Sequence, residues 1–321
     1  MKTEHLDASD PTQVARAIEL LAAGELVAVP TETVYGLAAD ATNPTAVAKI
    51  FQAKGRPSNH PLIVHLPNIK QLSQWATNIP ELAERIAQTF WPGPLTLLLE
   101  KHPGVNSIIT GGLATVGLRM PNHPVLSALL QSANLAVAAP SANPYQQLSP
   151  TTAEHVLNHL DGKISAVLDA GPCPVGSEST IVRVIDNSVE ILRSGPISAE
   201  QLASELKVKV FTPSSHDVAV SGNKEIHYSP RASVKLIPRE HVINLATALQ
   251  STALLYYSDL DTTHFVASVQ LPKDIDGYRH SFYAGLHSLD SPEVTDIWIE
   301  APPTSEPWSD IHDRLQRASA S

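Results

Sequence analysis

Two stretches hold the residues most able to do chemistry. One is Pro30-Thr31-Glu32-Thr33-Val34-Tyr35-Gly36-Leu37, the other Lys54-Gly55-Arg56-Pro57. The first follows Leu26-Val27-Ala28-Val29, an apolar run suited to a strand buried on both faces. A strand ending in small hydroxyl residues places those hydroxyls at the sheet edge where open α/β sheets bind ligands. Lys54 and Arg56 flank a glycine. If that segment is extended, both cations project to one side, whereas on a helix they diverge by about 200°. The Gly-Arg-Pro order argues against a helix, so the pair predicts a phosphate or carboxylate site. Alone, each piece reads most simply as a turn; their placement between apolar strands within one stretch gives them weight.

The elements that must position these residues follow from the apolar pattern. Residues 11–24 read as a helix with Pro11 early, Val14, Ile18 and Leu21 on one face, and Gly24 closing it. Asn43-Pro44 reads as a cap and first helical residue, residues 62–66 as a strand, and 80–90 as a helix broken by Trp91-Pro92-Gly93-Pro94. Strands are predicted at 95–99, at 115–119 ending on Arg119, at 135–139 leading into Pro140-Ser141-Ala142-Asn143-Pro144, at 167–171, at 181–184 and at 190–193 ending on Arg193. Thr151 to Glu154 has capping-box spacing and opens another helix. Many short strands with long, turn-rich connections predict a mixed α/β domain over residues 1–204. Residues 205–232 lose periodicity and gather Pro213, Ser214, Ser215, Ser221, Gly222 and Pro230, which reads as a linker or lid. Beyond them a second α/β domain, 233–321, is predicted from strands near 234–238, 252–257, 264–270 and 295–299 and helices at 239–250, 276–289 and 307–318.

Composition bounds the function. With 321 residues, 43% hydrophobic and 17% charged, the chain has ample core for two domains. A formal charge of −10 argues against broad, sequence-independent nucleic-acid binding. The single cysteine, Cys173, excludes an intramolecular disulfide and a cysteine metal cage, and fits a reducing cytoplasm. The N-terminus is polar and no apolar run reaches spanning length, so no membrane association and a cytoplasmic location are expected. Fourteen histidines include no HExxH or similar pairing, so no metal site is predicted.

Six motifs occur in the order seen in the YrdC/Sua5 family, the L-threonylcarbamoyladenylate synthases. They are Pro30–Leu37, Lys54-Gly55-Arg56-Pro57, Trp91-Pro92-Gly93-Pro94-Leu95-Thr96, Arg119-Met120-Pro121, Pro140-Ser141-Ala142-Asn143 and Ser177-Glu178-Ser179-Thr180. His227-Tyr228-Ser229-Pro230 and the second domain, closing on Asp313-Arg314-Leu315, look like the longer Sua5 type, so the resemblance covers nearly the whole chain. It implies a YrdC-like twisted mixed sheet with a concave catalytic face, plus a small Rossmann-like C-terminal Sua5 domain. The implied reaction forms L-threonylcarbamoyl-AMP and pyrophosphate from L-threonine, bicarbonate and ATP. That product serves N6-threonylcarbamoyladenosine at position 37 of tRNAs reading ANN codons.

The resemblance also assigns residues. Lys54 and Arg56 would be catalytic and face the phosphates and bicarbonate. Thr33, His65, Arg119, Ala139 and Ser179 would surround threonine, with the Arg119 fork on its carboxylate. ATP would meet Lys54, Arg56, His60, Thr115, Ser141, Asn143, Ser149, Arg193 and Tyr228. Mg²⁺ would arrive with ATP, without a dedicated protein site. The tRNA-modifying threonylcarbamoyl transferase machinery would act downstream, with a weak RNA contact of the chain's own. His60 stands where the family commonly has asparagine, and Ser221-Gly222-Asn223-Lys224 replaces the usual Ser-Pro-Gly-Met before the His-Tyr pair. Two other readings compete: a non-catalytic RNA-binding module, opposed by the acidic balance, and a carbamoyl-phosphate-using relative, opposed by the lack of acylphosphatase and zinc-finger segments.

Overall fold

The computed structural model describes residues 2–213, 216, 218–222, 227–244 and 249–320. The chain forms two compact units: Met1–Tyr145 with Pro150–Pro174 and Glu178–Asn223, and Gln146–Ser149 with Val175–Ser177 and Lys224–Ser321.

The first unit is built on an 11-stranded mixed sheet. Its strands in chain order are β1 (Glu4–Asp7), β2 (Val27–Val29), β3 (Gly36–Asp40), β4 (Ile63–His65), β5 (Leu95–Glu100), β6 (Thr115–Arg119), β7 (Val137–Ala138), β8 (Ala166–Asp169), β9 (Thr180–Ile185), β10 (Ser188–Arg193) and β11 (Lys209–Phe211). In space they run β1-β8-β2-β3-β7-β4-β6-β5-β9-β10-β11. Period-two alternation divides the side chains between two faces. Ala28, Leu37, Val64, Leu97, Val116, Leu118 and Val182 join one core with Ile50, Ile86, Val156 and Leu202, which come from the helices Pro44–Lys54, Glu81–Phe90, Ala153–Leu160 and Ala199–Leu206. On the opposite face Val27, Val29, Ala38 and Val137 meet Leu20 and Leu21 of the helix Pro11–Ala22 and Leu129 of the helix Pro124–Ala133. That second layer covers only one end of its face; toward β4, β5, β9 and β10 the cover is a small cluster of Leu98, Ile181, Leu192 and Val220.

Most expected elements form, and the local causes are visible. Asp10 caps the first helix, accepting from the Thr12 backbone, and Asn43 caps the second by accepting from the amides of Thr45 and Ala46. Three details differ. The Pro44–Lys54 helix runs to Lys54 and ends on Gly55 in the left-handed region (φ +62°), so Lys54-Gly55-Arg56 is a helix C-terminus and not an extended segment. The cap at 151–154 sits one residue later: Thr152 is extended and its Oγ1 accepts from His155 N, while Thr151 N donates to His155 Nδ1. Of the stretch read as a linker, residues 205 and 206 complete the Ala199–Leu206 helix and 209–211 pair with β10 as β11.

The second unit carries a four-stranded, all-parallel sheet: β12 (Ser233–Ile237), β13 (Thr252–Tyr256), β14 (Ala267–Gln270) and β15 (Asp296–Glu300), in the order β12-β15-β13-β14. Helices Ile275–Leu289 and Ser309–Ala318 bury Phe282, Leu286, Ile311 and Leu315. The expected helix at 239–250 is present over Arg239–Ile243, and its residues 245–248 lie outside the described residues. Ser214, Ser215, Asn223 and Lys224, invoked for the linker, also lie outside them.

Candidate functional site

The site in the first unit follows from register. In β6, Val116 and Leu118 enter the helical core, so Thr115, Gly117 and Arg119 face the other way. Val64 does the same for β4, turning Ile63 and His65 to that opposite face, and Leu95 and Leu97 do it for Thr96 and Leu98. His65 pairs with Arg119 across the parallel β4–β6 ladder. Leu97 pairs with Leu118, which sets Thr96 opposite Arg119. A Cβ on Gly117 would touch Ile63 Cγ1 and Thr96 Cγ2, both at 3.4 Å, so these strands share one surface. His65, Arg119 and Thr96 thus stand abreast on one face.

Arg119 is the centre of a buried polar knot. Its Nη1 donates to Thr33 Oγ1 at 3.0 Å and its Nε to Gly93 O at 3.3 Å, while Nη2 lies 2.7 Å from Glu32 Oε1. That last approach is an ion pair without hydrogen-bond geometry: Nη2 and both Glu32 oxygens have no hydrogen-bond partner. Thr31 shapes the turn that delivers Thr33. Its Oγ1 donates to Val34 O, and the amides of Thr33 and Val34 point at it. The Thr33 hydroxyl lies 2.8 Å from the same oxygen. Burial, and then the Arg119 charge, pushes the His65 imidazole down to about 3, so the ring stays neutral. Burial lifts the Cys173 thiol to about 12, with Glu32 and Arg119 both acting on it. Cys173 is therefore an inert part of the wall.

A second group forms around the helix end at Lys54. Its Nζ donates to the carbonyl oxygens of Ser141 and Asn143, both at 2.5 Å, and burial with the adjacent Arg56 charge lowers its pKa well below 10.5. Arg56 Nη2 donates to Pro61 O at 2.9 Å and its guanidinium lies 6.0 Å from the Tyr145 ring, which His60 meets edge-on at 5.3 Å. Gly111 (φ +60°) lets this loop close, because a Cβ there would sit 2.4 Å from Asn59 O. Tyr145 was not singled out in the sequence; an aromatic just after the Asn143-Pro144 turn is its one signal.

A third group joins Ser179 to Arg193. Arg193 Nε and Nη2 donate to Ser179 O at 3.1 and 2.8 Å, Nη2 also reaches Ser179 Oγ, and that hydroxyl lies 2.8 Å from Thr96 Oγ1. Gly195 makes the turn possible, since a Cβ there would fall 2.3 Å from Thr180 N. Arg193 Nη1 donates to Ser221 O, and Val220 packs on Leu98, Ile181 and Leu192. Part of the expected linker thus lies against the face that carries His65, Thr96 and Arg119.

The remaining candidates are more scattered. Ala139 lies just beyond β7 with its amide on Ile63 O, and a Cβ on Gly36 would meet its methyl at 3.2 Å. Gly36 in turn bridges Ser141. Thr115 opens β6 on the same face as Arg119 but about 13 Å away along the strand. Ser149 and Tyr228 belong to the second unit. There Ser149 O faces His287 Nε2 at 3.1 Å, and Ser229 N donates to Gln146 O. Tyr228 takes a left-handed backbone (φ +61°) with Arg314 5.3 Å from its ring. Among the described residues no group of three or more His, Cys, Asp or Glu side chains could hold a metal ion. Among them, too, no helix is long and apolar enough to cross a membrane.

Comparison with known proteins decides the family. Residues 19–195 match the Sua5–YciO–YrdC family model, described as telomere recombination. Residues 197–320 match that of the threonylcarbamoyl-AMP synthase C-terminal domain. The chain belongs to the Sua5/YrdC family. It is 37% identical to a Bacillus subtilis threonylcarbamoyl-AMP synthase over 99% of this chain and 95% of that one. A Pyrococcus abyssi protein of the same name is 43% identical over 68% of this chain and 66% of its own length. A crystal structure of P. abyssi Sua5 complexed with L-threonine superposes with a TM-score of 0.90 at 31% identity, covering 99% of this chain and 98% of that one. The expected two-domain Sua5 membership and its mixed α/β architecture with a second parallel sheet are therefore borne out.

Proposed function

We propose that this chain joins L-threonine, bicarbonate and ATP into L-threonylcarbamoyl-AMP and pyrophosphate, supplying the threonylcarbamoyl group for N6-threonylcarbamoyladenosine in tRNAs reading ANN codons. The observation that carries the reading is the Arg119 knot, a buried guanidinium fork beside Thr33 and the neutral His65 ring. Together they offer a carboxylate partner, a hydroxyl and an imidazole that can trade hydrogen bonds without charge, which suits an amino acid with a hydroxylated side chain.

In this reading Thr33, His65, Arg119, Ala139 and Ser179 surround threonine. Arg56, His60, Thr115, Ser141, Asn143 and Arg193 of the first unit serve ATP. Threonine's α-ammonium gives up a proton to solvent, and the resulting amine and bicarbonate give N-carboxythreonine and water. A carbamate oxygen then attacks the α-phosphorus as the bond to the β-phosphate breaks and pyrophosphate leaves. Carbamates are short-lived in water, so alignment and exclusion of water carry much of the rate; alignment alone is worth up to roughly 7–11 kcal/mol. Arg56 neutralises the departing pyrophosphate, together with Mg²⁺ brought on the triphosphate. Lys54 holds the Ser141–Asn143 turn against the nucleotide, because its ammonium is already committed to those two carbonyl oxygens. The threonylcarbamoyl transferase machinery consumes the product, and any RNA contact of this chain is weak.

The test is incubation of the purified chain with ATP, bicarbonate and labelled threonine, followed by chromatography for a labelled adenylate. Pyrophosphate release that proceeds equally without threonine, or no release at all, would reject the reading.

A further inference from the structure

Glu32 is the one buried charge of the Arg119 knot to which none of the assignments above gives a role. It sits in the turn after β2, about 4% exposed, and neither carboxylate oxygen receives a hydrogen bond. A buried carboxylate without donors is costly, typically by more than a neutral group left unmet. The groups facing it offset part of that cost by charge and none of it by a hydrogen bond. Arg119 Nη2 is 2.7 Å away but out of hydrogen-bond geometry, so it supplies charge and no bond. His123 faces Glu32 at the start of the Pro124–Ala133 helix, where burial pulls its imidazole below 6.5 and its own Nδ1 has no partner. Cys173 keeps a protonated thiol, a weak donor. The knot therefore contains two acceptor oxygens and one guanidinium nitrogen, adjacent and unmet.

That pattern is the complement of an α-amino acid zwitterion. One carbon carries both an ammonium with three N–H donors and a carboxylate with acceptor oxygens. A ligand whose carboxylate meets Arg119 Nη2 brings its ammonium to the neighbouring acceptors. We propose that Glu32 receives the α-ammonium of the amino-acid substrate and so selects α-amino acids over the corresponding hydroxy acids. Glu32 thereby becomes a specificity-determining partner of Arg119 and more than its counter-charge. This assignment rests on the reading of the knot as the threonine site, and it adds a residue to that site.

Isothermal titration of the full chain separates the possibilities. The two probes are L-threonine and the matching 2,3-dihydroxybutyrate, which is threonine with a hydroxyl in place of the ammonium. Wild-type protein is expected to bind threonine at least about tenfold more tightly than the dihydroxy acid, the scale of one charge-assisted hydrogen bond. Glu32→Gln is expected to lose about that factor for threonine while leaving the dihydroxy acid within about threefold. Equal loss for both ligands would mean that Glu32 acts only through the orientation of Arg119, and it overturns the proposal. So does a Glu32→Gln protein that binds threonine as wild type does. Should Glu32→Gln fail to fold, the wild-type comparison alone decides: a dihydroxy acid that binds as tightly as threonine refutes ammonium recognition. Wild-type protein that binds neither ligand overturns the threonine reading itself, and this assignment with it.

Discussion

His65 makes the fold sensitive to acid by an amount that can be worked out. Its ring is about 3% exposed at the end of β4, in register with Arg119, and it titrates at about 3 in place of 6.5. In the unfolded chain the same imidazole takes up a proton near 6.5. Below that pH the unfolded state binds a proton that the fold refuses, so stability falls as pH drops and stops falling only near 3. Each pH unit inside that window costs about 1.36 kcal/mol. Moving from about pH 7.5 to about pH 5 crosses roughly 1.5 units of it, a loss of about 2 kcal/mol from this residue. Other groups titrate over the same range, so the assay is differential. Urea unfolding of wild type and His65→Gln, followed by intrinsic tryptophan fluorescence, is measured at both pH values. The gap between the two proteins should shift by about 2 kcal/mol in favour of His65→Gln at the lower pH. A gap constant to within about 0.5 kcal/mol would mean that His65 titrates alike in both states, and the argument from burial beside Arg119 would be wrong.

Three further outcomes follow from particular contacts. Lys54→Met should abolish adenylate formation while changing stability by less than about 2 kcal/mol, because two lost hydrogen bonds of about 1–3 kcal/mol each are offset by relief of a deeply desolvated ammonium; pyrophosphate release and a urea curve check both halves. Gly195→Ala forces a methyl group into the backbone between Glu178 and Thr180 and should cost about 1–3 kcal/mol by thermal melt, with weaker threonine binding because Ser179 must move. Val220→Asp places a carboxylate among Leu98, Ile181 and Leu192 and should speed limited proteolysis across residues 218–222 by about tenfold or more; cleavage at the wild-type rate would show that this contact does not hold residues 218–222.

Much of this fold is legible because its strands are buried on both faces and so read as continuous apolar runs. The β5 run Leu95–Leu99 and the β2 run announce themselves that way. What the sequence hides are elements whose stability is borrowed from neighbours. The edge strand β1, Glu4–Asp7, buries only Leu6 and carries no apolar alternation. β3 is Gly-Leu-Ala-Ala-Asp, poor in strand formers, yet it is paired on both sides by β2 and β7. The cationic pair shows a subtler limit: residue types and spacing pointed to Lys54 and Arg56, but the left-handed turn at Gly55 sends them to different partners. Lys54 goes to the Ser141 and Asn143 carbonyls, Arg56 to Pro61 and Tyr145. Thr96 was visible only as the end of a turn motif. Its place opposite Arg119 comes from antiparallel register, which is set by strands distant in sequence.

The arrangement also explains how an acidic chain can serve anionic substrates. With 32 acidic residues against 22 basic ones, attraction cannot come from the overall field. Under the proposed function it would come from Lys54, Arg56, Arg119 and Arg193, and each is at most 8% exposed. A buried cation is tolerable only when its donors are occupied, and here many are occupied by neutral oxygens: carbonyls of Gly93, Ser141, Asn143 and Ser179 and the hydroxyl of Thr33. Neutral acceptors hold a guanidinium or ammonium in place without cancelling its charge, so the positive potential remains for a ligand. Glu32 is the exception. Its carboxylate cancels part of the charge of Arg119 and is left without a donor of its own, the arrangement on which the proposed recognition of an ammonium rests.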